Sequence, residues 1–319
     1  MKTPYTRSAP ASEYAAFEEG AALVDLSYLS YRIVLRLAGG GVIGILNAVL
    51  TNEVPEEGHR GVYALLLNPK GRIEADVRVL KGDGEVLIDT EPEGSAKELL
   101  GRYAPFSRVK LEDLSEADNP WGVLGLYGPR AEELLDGLEL AEHESAEVKL
   151  GGEEILTAGV TTPVPGYDLL GPADALSAAH GHLAGRGAVP VGLQAYETAR
   201  IKAGVPRFGS DITPENFPAE AGILERAVSF EKGCYPGQET VARMHYRGHP
   251  NKILHRFAVE GAPPPPDTAI LLNGKQVGKV TSLAPLPVNG VTFALGYLSR
   301  NADAQGALYA GDATLRPLA

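Results

Sequence analysis

The 319-residue chain holds a single cysteine, Cys234, and that scarcity excludes an intramolecular disulfide framework. An unstapled chain with one thiol suits a reducing compartment, so the expected location is the cytoplasm. Long apolar runs are missing as well. An uncharged stretch such as Leu37 to Asn52 falls short of the ~20 apolar residues that span a bilayer, so no membrane association is expected. Met1 to Arg7 lead into Ser12-Glu13-Tyr14 without an apolar core, a pattern that does not read as a signal peptide. Basic residues are in deficit, 29 Lys and Arg against 41 Asp and Glu for a net charge of −12, which argues against direct binding to a nucleic-acid backbone. Self-similarity at the periods that mark solenoids is absent too.

Turn formers are abundant instead. With 38 glycines and 24 prolines, short strands joined by turns are expected and a long-helix bundle is not. Ser12 can cap a helix that Gly20 ends. Tyr31 to Leu37 alternates as a strand, and Val42 to Leu50 reads as a short apolar helix. Gly61 to Leu67, Arg72 to Leu80 and Glu85 to Asp89 form an antiparallel meander, turning at Asn68-Pro69-Lys70-Gly71 and Gly82-Asp83-Gly84. Helices are expected over 92–103, 131–138, 172–183 and 192–203, with strands at 121–126 and within 155–170. Beyond Pro263 to Pro266, residues 269–282 and 291–298 read as a small β-barrel or sandwich.

Gly39 to Gly44 fit G-x-G-x-x-G between a strand and a helix, the context of a dinucleotide fingerprint. The next strand ends in Asn68 rather than an acidic residue, and a meander follows instead of βαβ units, so a plain strand-to-helix turn is preferred. Among the histidines, His245 and His249 stand four apart near Cys234 and His255, but arginines surround them and Gly248 and Pro250 break the helix that joint ligation needs. His180 and His182, two apart on a helix, face different directions and are expected at the surface. No metal is assigned.

The most unusual segment runs from Lys232 to Arg243. Gly233 and Gly237 bracket a turn that presents Cys234, and Lys232 and Arg243 are placed as cations that favour its thiolate. The alternative is a buried cysteine that packs as a small hydrophobe. Around it, from Glu225 to Arg256, six basic side chains face three acidic ones, a local +3 in an acidic protein and a place for an anionic group.

Lys232, Gly233, Cys234, Tyr235, Gly237, Gln238, Glu239 and Arg243 complete the pattern K-G-C-[FY]-x-G-Q-E-x-x-x-R. The chain thereby resembles the YgfZ-type folate-binding proteins, relatives of the glycine cleavage aminomethyltransferase (T-protein). Weaker resemblance to both families runs through 22–27, 68–76, 200–204, 277–282 and 294–298. The resemblance implies an α+β fold of two interleaved α+β domains and a C-terminal β-barrel around a central tetrahydrofolate channel. The expected domains are 1–50 with 115–244, an inserted antiparallel sheet at 51–114, and a barrel at 245–319.

By the same resemblance, Asp76 is the acid near folate N5, its family neighbour being Ala75 here. Asp168 in Gly166-Tyr167-Asp168 is the pterin-binding carboxylate, and the helix with Tyr196, Glu197 and Arg200 flanks the ligand. Thr161 to Gly166 replace the transferase's R-T-G-Y-T-G-E-D-G run, and Tyr196 stands where that enzyme has an arginine. The implied function is a tetrahydrofolate-binding factor for iron-sulfur cluster assembly or repair, supporting cluster-dependent enzymes that include tRNA-modifying ones. Iron-sulfur enzymes or cluster-assembly proteins are its implied partners. Cys234 and Asp76 are the candidate catalytic residues, whether or not a one-carbon transfer takes place. An aminomethyltransferase of the glycine cleavage type, and more remotely a nucleotide-binding oxidoreductase, are the alternatives.

Overall fold

The structure, a computed structural model, describes residues 10–27, 31–82, 84–302 and 306–318. The reading of Met1 to Arg7 as no signal peptide, and Asp83 of the expected turn, lie outside them. In chain order, α1 (Pro10–Glu19) and β1 (Ala22–Asp25) are followed by β2 (Ile33–Ala38), α2 (Val42–Val49), β3 (Val62–Leu67), β4 (Ile73–Lys81), β5 (Val86–Thr90), α3 (Ala96–Tyr103) and β6 (Lys110–Asp113). Then come β7 (Trp121–Tyr127), α4 (Ala131–Leu134), β8 (Ser145–Leu150), β9 (Glu153–Val160), β10 (Gly166–Pro172), α5 (Ala173–Gly185), β11 (Val189–Pro190), α6 (Leu193–Ala203), α7 (Leu224–Ala227) and α8 (Gln238–Arg247). The last six strands are β12 (Lys252–Glu260), β13 (Ala269–Leu272), β14 (Lys275–Leu283), β15 (Thr292–Ser299), β16 (Leu308–Ala310) and β17 (Ala313–Leu318).

These elements build a six-stranded sheet in the order β11-β1-β7-β10-β9-β8, a five-stranded sheet β3-β4-β5-β2-β6, and a closed barrel β12-β15-β14-β13-β16-β17. Strand β2 lies between β5 and β6, antiparallel to both. Residues 33–49 therefore belong with the five-stranded sheet, which corrects the expected boundary at residue 51. The chain enters this sheet through β2 and the apolar face of α2 packs under it, so the unit starts before the meander does. The same antiparallel pairing removes the βαβ unit that a dinucleotide fold requires. A Cβ on Gly41 would lie 2.5 Å from the Ser107 carbonyl oxygen, so its glycine serves close backbone packing.

Helix α4 stops at Leu134 rather than 138 because Asp136 and Gly137 both take positive φ, 56° and 79°, which ends a right-handed helix. Helix α8 went unassigned from the sequence because Val241 is its one buried residue, too few to draw an apolar stripe.

Strand β4 explains where the centre of the molecule lies. Ala75, Val77 and Val79 pack with Val42, Ile45, Leu46 and Val49 of α2. Period-2 alternation turns Asp76, Arg78 and Leu80 to the other face, and Leu80 there joins a core shared with Val123, Tyr127 and Leu170 of the six-stranded sheet. Both faces are thus covered, and Asp76 and Arg78 are buried at 5% and 7% exposure.

Candidate functional site

Between the two sheets lies a cavity of about 100 Å³. Strand β4 supplies Asp76 and Arg78, β10 supplies Asp168, β7 supplies Tyr127, and α6 supplies Tyr196 and Arg200, while His143 and Arg226 come from loop and short-helix positions. Tyr127 and Tyr196 stack at 5.9 Å between ring centroids, and Tyr31 meets Tyr196 edge-on at 5.3 Å. Gly125 makes this wall possible, since a Cβ there would fall 2.3 Å from the Tyr127 ring.

The wall is held by an ion-pair network. Asp89, with no exposed surface, accepts from Arg32 Nε at 2.5 Å and from the Arg78 guanidinium. Arg78 also meets Asp168 Oδ2 at 2.6 Å, and the Tyr127 hydroxyl donates to Asp168 Oδ1. Burial would raise the Asp89 pKa, but Arg32 and Arg78 overcome it and hold the carboxyl below its usual range. Asp76 goes the other way: burial raises its pKa, and Arg32 only partly offsets this. Tyr63 donates to Asp76 Oδ2 at 3.1 Å, while Asp76 Oδ1 and His143 Nδ1 are buried without a partner. A polar atom left unpaired in a dry cavity is costly, so these two atoms are where a ligand is wanted.

The expected site residues fare differently. Asp76, Asp168, Tyr196 and Arg200 all line this cavity. Arg200, however, gives Nε and Nη2 to Glu197, Nη1 to Asp211 and the Val205 carbonyl, and Nη2 to Ser282. Its five N–H groups are therefore engaged, and it ties α6 to the barrel rather than offering a donor to a ligand. Glu197 takes a hydrogen bond from Tyr31 as well. Asp168 has a partner in the protein on each oxygen, Tyr127 on Oδ1 and Arg78 on Oδ2, and retains further acceptor capacity on both. Arg78, Tyr127, Tyr63 and His143 were missed. Arg78 carried a signal, standing two residues beyond Asp76 on the same strand face, whereas His143 sits in a loop without periodicity.

Cys234 lies elsewhere. It is exposed and does not line the cavity that holds Asp76, so the structure does not join the two expected catalytic residues in one site. Lys232 turns away to donate to the Asn47 and Leu50 carbonyl oxygens at 2.8 and 2.5 Å, capping the end of α2, a role that C-terminal carbonyls commonly assign to lysine. Burial lowers its pKa to about 8. Two of its three donors are thereby given to the end of α2. Gly237 takes φ 81° against Gly71 at φ 80°, and a Cβ on Gly237 would lie 2.6 Å from the Asn68 carbonyl oxygen. Tyr235 and Val241 bury beside Leu65, Leu67 and Ile73. The motif is thus a clasp on the β3–β4 turn, with Cys234 on its outer side, half-buried Gln238 in α8's first turn, and Glu239 and Arg243 exposed along the helix. His245 stacks on Phe230 at 4.1 Å.

A larger cleft of about 760 Å³ opens between α3 and α5. Lys97 there is bound to Asp113 and Glu116 at 2.8 and 2.9 Å, and among the described residues no buried unpartnered atom comes from its walls. His182 is exposed as expected, whereas His180 is half-buried and lines this cleft, which corrects its expected surface placement. The smaller cavity, with two orphaned atoms, is the better candidate.

Two opposed sheets with a buried polar cavity between them, and a closed C-terminal barrel, define an α+β protein. Residues 3–232, 230 of the 319, match the family described as the GCVT N-terminal domain, and the chain belongs to that family. An aminomethyltransferase of Moorella thermoacetica is 28% identical over 311 residues, covering 93% of this chain and 83% of that protein. A protein of Arabidopsis thaliana named as a chloroplastic transferase is 29% identical over 306 residues, covering 91% of this chain and 68% of the relative. The crystal structure of the glycine cleavage system aminomethyltransferase T from Bartonella henselae shares the fold, with a TM-score of 0.82 at 21% identity over 100% of this chain and 90% of that one. No helix among the described residues is long and apolar enough to cross a membrane.

Proposed function

We propose that the protein binds tetrahydrofolate or a derivative in the central cavity and serves iron-sulfur cluster assembly or repair, with cluster-dependent enzymes, tRNA-modifying ones included, as clients. The observation that carries the folate reading is the buried, unpartnered Asp76 Oδ1 in a cavity walled by tyrosine rings. A reduced pterin offers N–H groups along its edge and flat faces to those rings.

The residues fit such a ligand, although the cavity alone is smaller than the roughly 300–1,000 Å³ of ordinary ligand pockets. A groove of about 410 Å³ shares Thr162, Val205, Pro206, Ile223 and Arg226 with it as walls and adds Arg256. Asp76 and the tyrosines would hold the ring, and Arg226 and Arg256 would attract the anionic glutamate end. When bound, tetrahydrofolate supplies a ring nitrogen that accepts one-carbon units. Asp76, with its raised pKa, is suited to hold or release a proton beside that nitrogen. Asp168 could join through the second lone pair of either oxygen while keeping Arg78 and Tyr127.

Two titrations test this. Tetrahydrofolate should bind the purified protein by calorimetry, and Asp76→Asn should weaken it at least about tenfold, the scale of one charge-assisted hydrogen bond. Unchanged affinity would remove Asp76 from the site. The aminomethyltransferase reading is favoured by the 28% identity to the Moorella enzyme, and opposed by Thr161 to Gly166 and by Tyr196 in the positions noted above. Little or no methylene-tetrahydrofolate is therefore expected from an aminomethyl-lipoyl donor, and robust turnover would promote that alternative. The single thiol supports a cytoplasmic setting, and its exposure leaves it open to a protein partner.

A further inference from the structure

We propose that His143 makes the central cavity selective for the oxidation state of the pterin ring, accepting at Nδ1 an N–H that only the reduced ring carries. The inference rests on the folate reading above and names a residue that neither the motif nor the expected site contained.

His143 is 9% exposed and lines the cavity, and its Nδ1 has no partner. Its Nε2 lies 3.7 Å from Glu142 Oε1. Glu142 is itself held ionised: burial works against the charge, but Thr161 and Arg226 outweigh it. A proton on Nε2 faces this carboxylate, whereas a bare Nε2 would set a lone pair against it. The Nε2–H tautomer follows, leaving Nδ1 as a bare acceptor. Burial and the nearby Arg78 lower the imidazole pKa to about 4, so the ring stays neutral near pH 7.

The backbone fixes this acceptor in place. His143 takes φ 64°, a conformation uncommon outside glycine. Its N–H donates to the Gly159 carbonyl at 2.9 Å, and its own carbonyl accepts from Gly61 N at 2.7 Å. It is therefore pinned between β9 of one sheet and the approach to β3 of the other. A tetrahydropterin carries N–H groups at ring positions 5 and 8. The fully oxidised ring has bare nitrogens at both, which would set acceptor against acceptor in a buried site.

The experiment titrates wild type, His143→Asn and His143→Gly with anaerobic tetrahydrofolate and with folic acid, with thermal melts as a control for folding. Wild type should prefer tetrahydrofolate by about tenfold or more. His143→Asn tolerates the same backbone conformation and retains an acceptor, so it should keep the preference. His143→Gly suits φ 64° without an acceptor and should bring the ratio of affinities near one. A ratio unchanged in His143→Gly, or affinities for both probes falling in parallel, would show a structural role and overturn the inference while leaving folate binding intact. Wild-type protein that binds neither probe would overturn the folate reading and this inference with it.

Discussion

Asp89→Ala is expected to destabilise the protein by about 3–5 kcal/mol, the usual result of removing one partner from a buried ion pair, and to lower the melting temperature by about 10 °C. Asp89 is fully buried and shared by Arg32 and Arg78. Without its carboxylate, Arg32 keeps the carbonyl oxygen of residue 89 at 3.1 Å and Glu91 at 3.8 Å, and Arg78 keeps Asp168. Two guanidinium groups in the cavity wall would then have too little negative charge beside them.

The pH dependence has a definite sign. Asp89 is held below its usual range, so its contribution is complete above the unfolded value of about 3.9 and disappears as pH falls through the lower folded value. Asp76 and Glu91, whose pKa values are raised mainly by burial, act oppositely, and their cost is relieved on acidification. Acid unfolding of Asp89→Asn should therefore be shallower than that of wild type. Thermal melts from pH 2 to 7 would check both points. A melting temperature for Asp89→Ala within about 2 °C of wild type would mean the arginines find other partners.

Why the sequence disclosed Asp76 but not its setting follows from strand periodicity. Glu74, Asp76 and Arg78 alternate with Ala75 and Val77, which on its own describes a strand with one face in water. The second sheet covers that face, and no local pattern announces a sheet assembled from residues 22–25, 121–127 and 153–172. Arg200 was legible as a charged residue on a helix, yet Asp211 reaches it from a loop without periodicity, and Ser282, which is distant in sequence, meets it only once the barrel closes. Lys232 was placed beside the thiol by sequence proximity, but α2 ends within its reach and offers two carbonyls. The barrel needed less: strand alternation after a proline run, with no helical period, already narrows the segment to a small barrel or sandwich, and the structure closes it as a barrel.

The separation of Cys234 from the cavity gives the last prediction. Cys234→Ser should leave tetrahydrofolate affinity within about twofold of wild type, since no hydrogen bond to ligand is removed. In cells lacking their own counterpart, it should fail to restore cluster-dependent enzymes, with activity down about tenfold or more because a hydroxyl replaces the nucleophilic, metal-binding sulfur. The fold should tolerate the change. Cys234 is exposed, and its turn is held by neighbours: Lys232 on α2, Tyr235 in the core, and Gly237 against Gly71. Asp76→Asn is the converse variant, losing folate while keeping the thiol. If both variants fail in cells but only Asp76→Asn loses folate, two sites serve one function. Full complementation by Cys234→Ser would show the thiol to be dispensable, and loss of folate binding in that variant would show that the clasp and the cavity are one site after all.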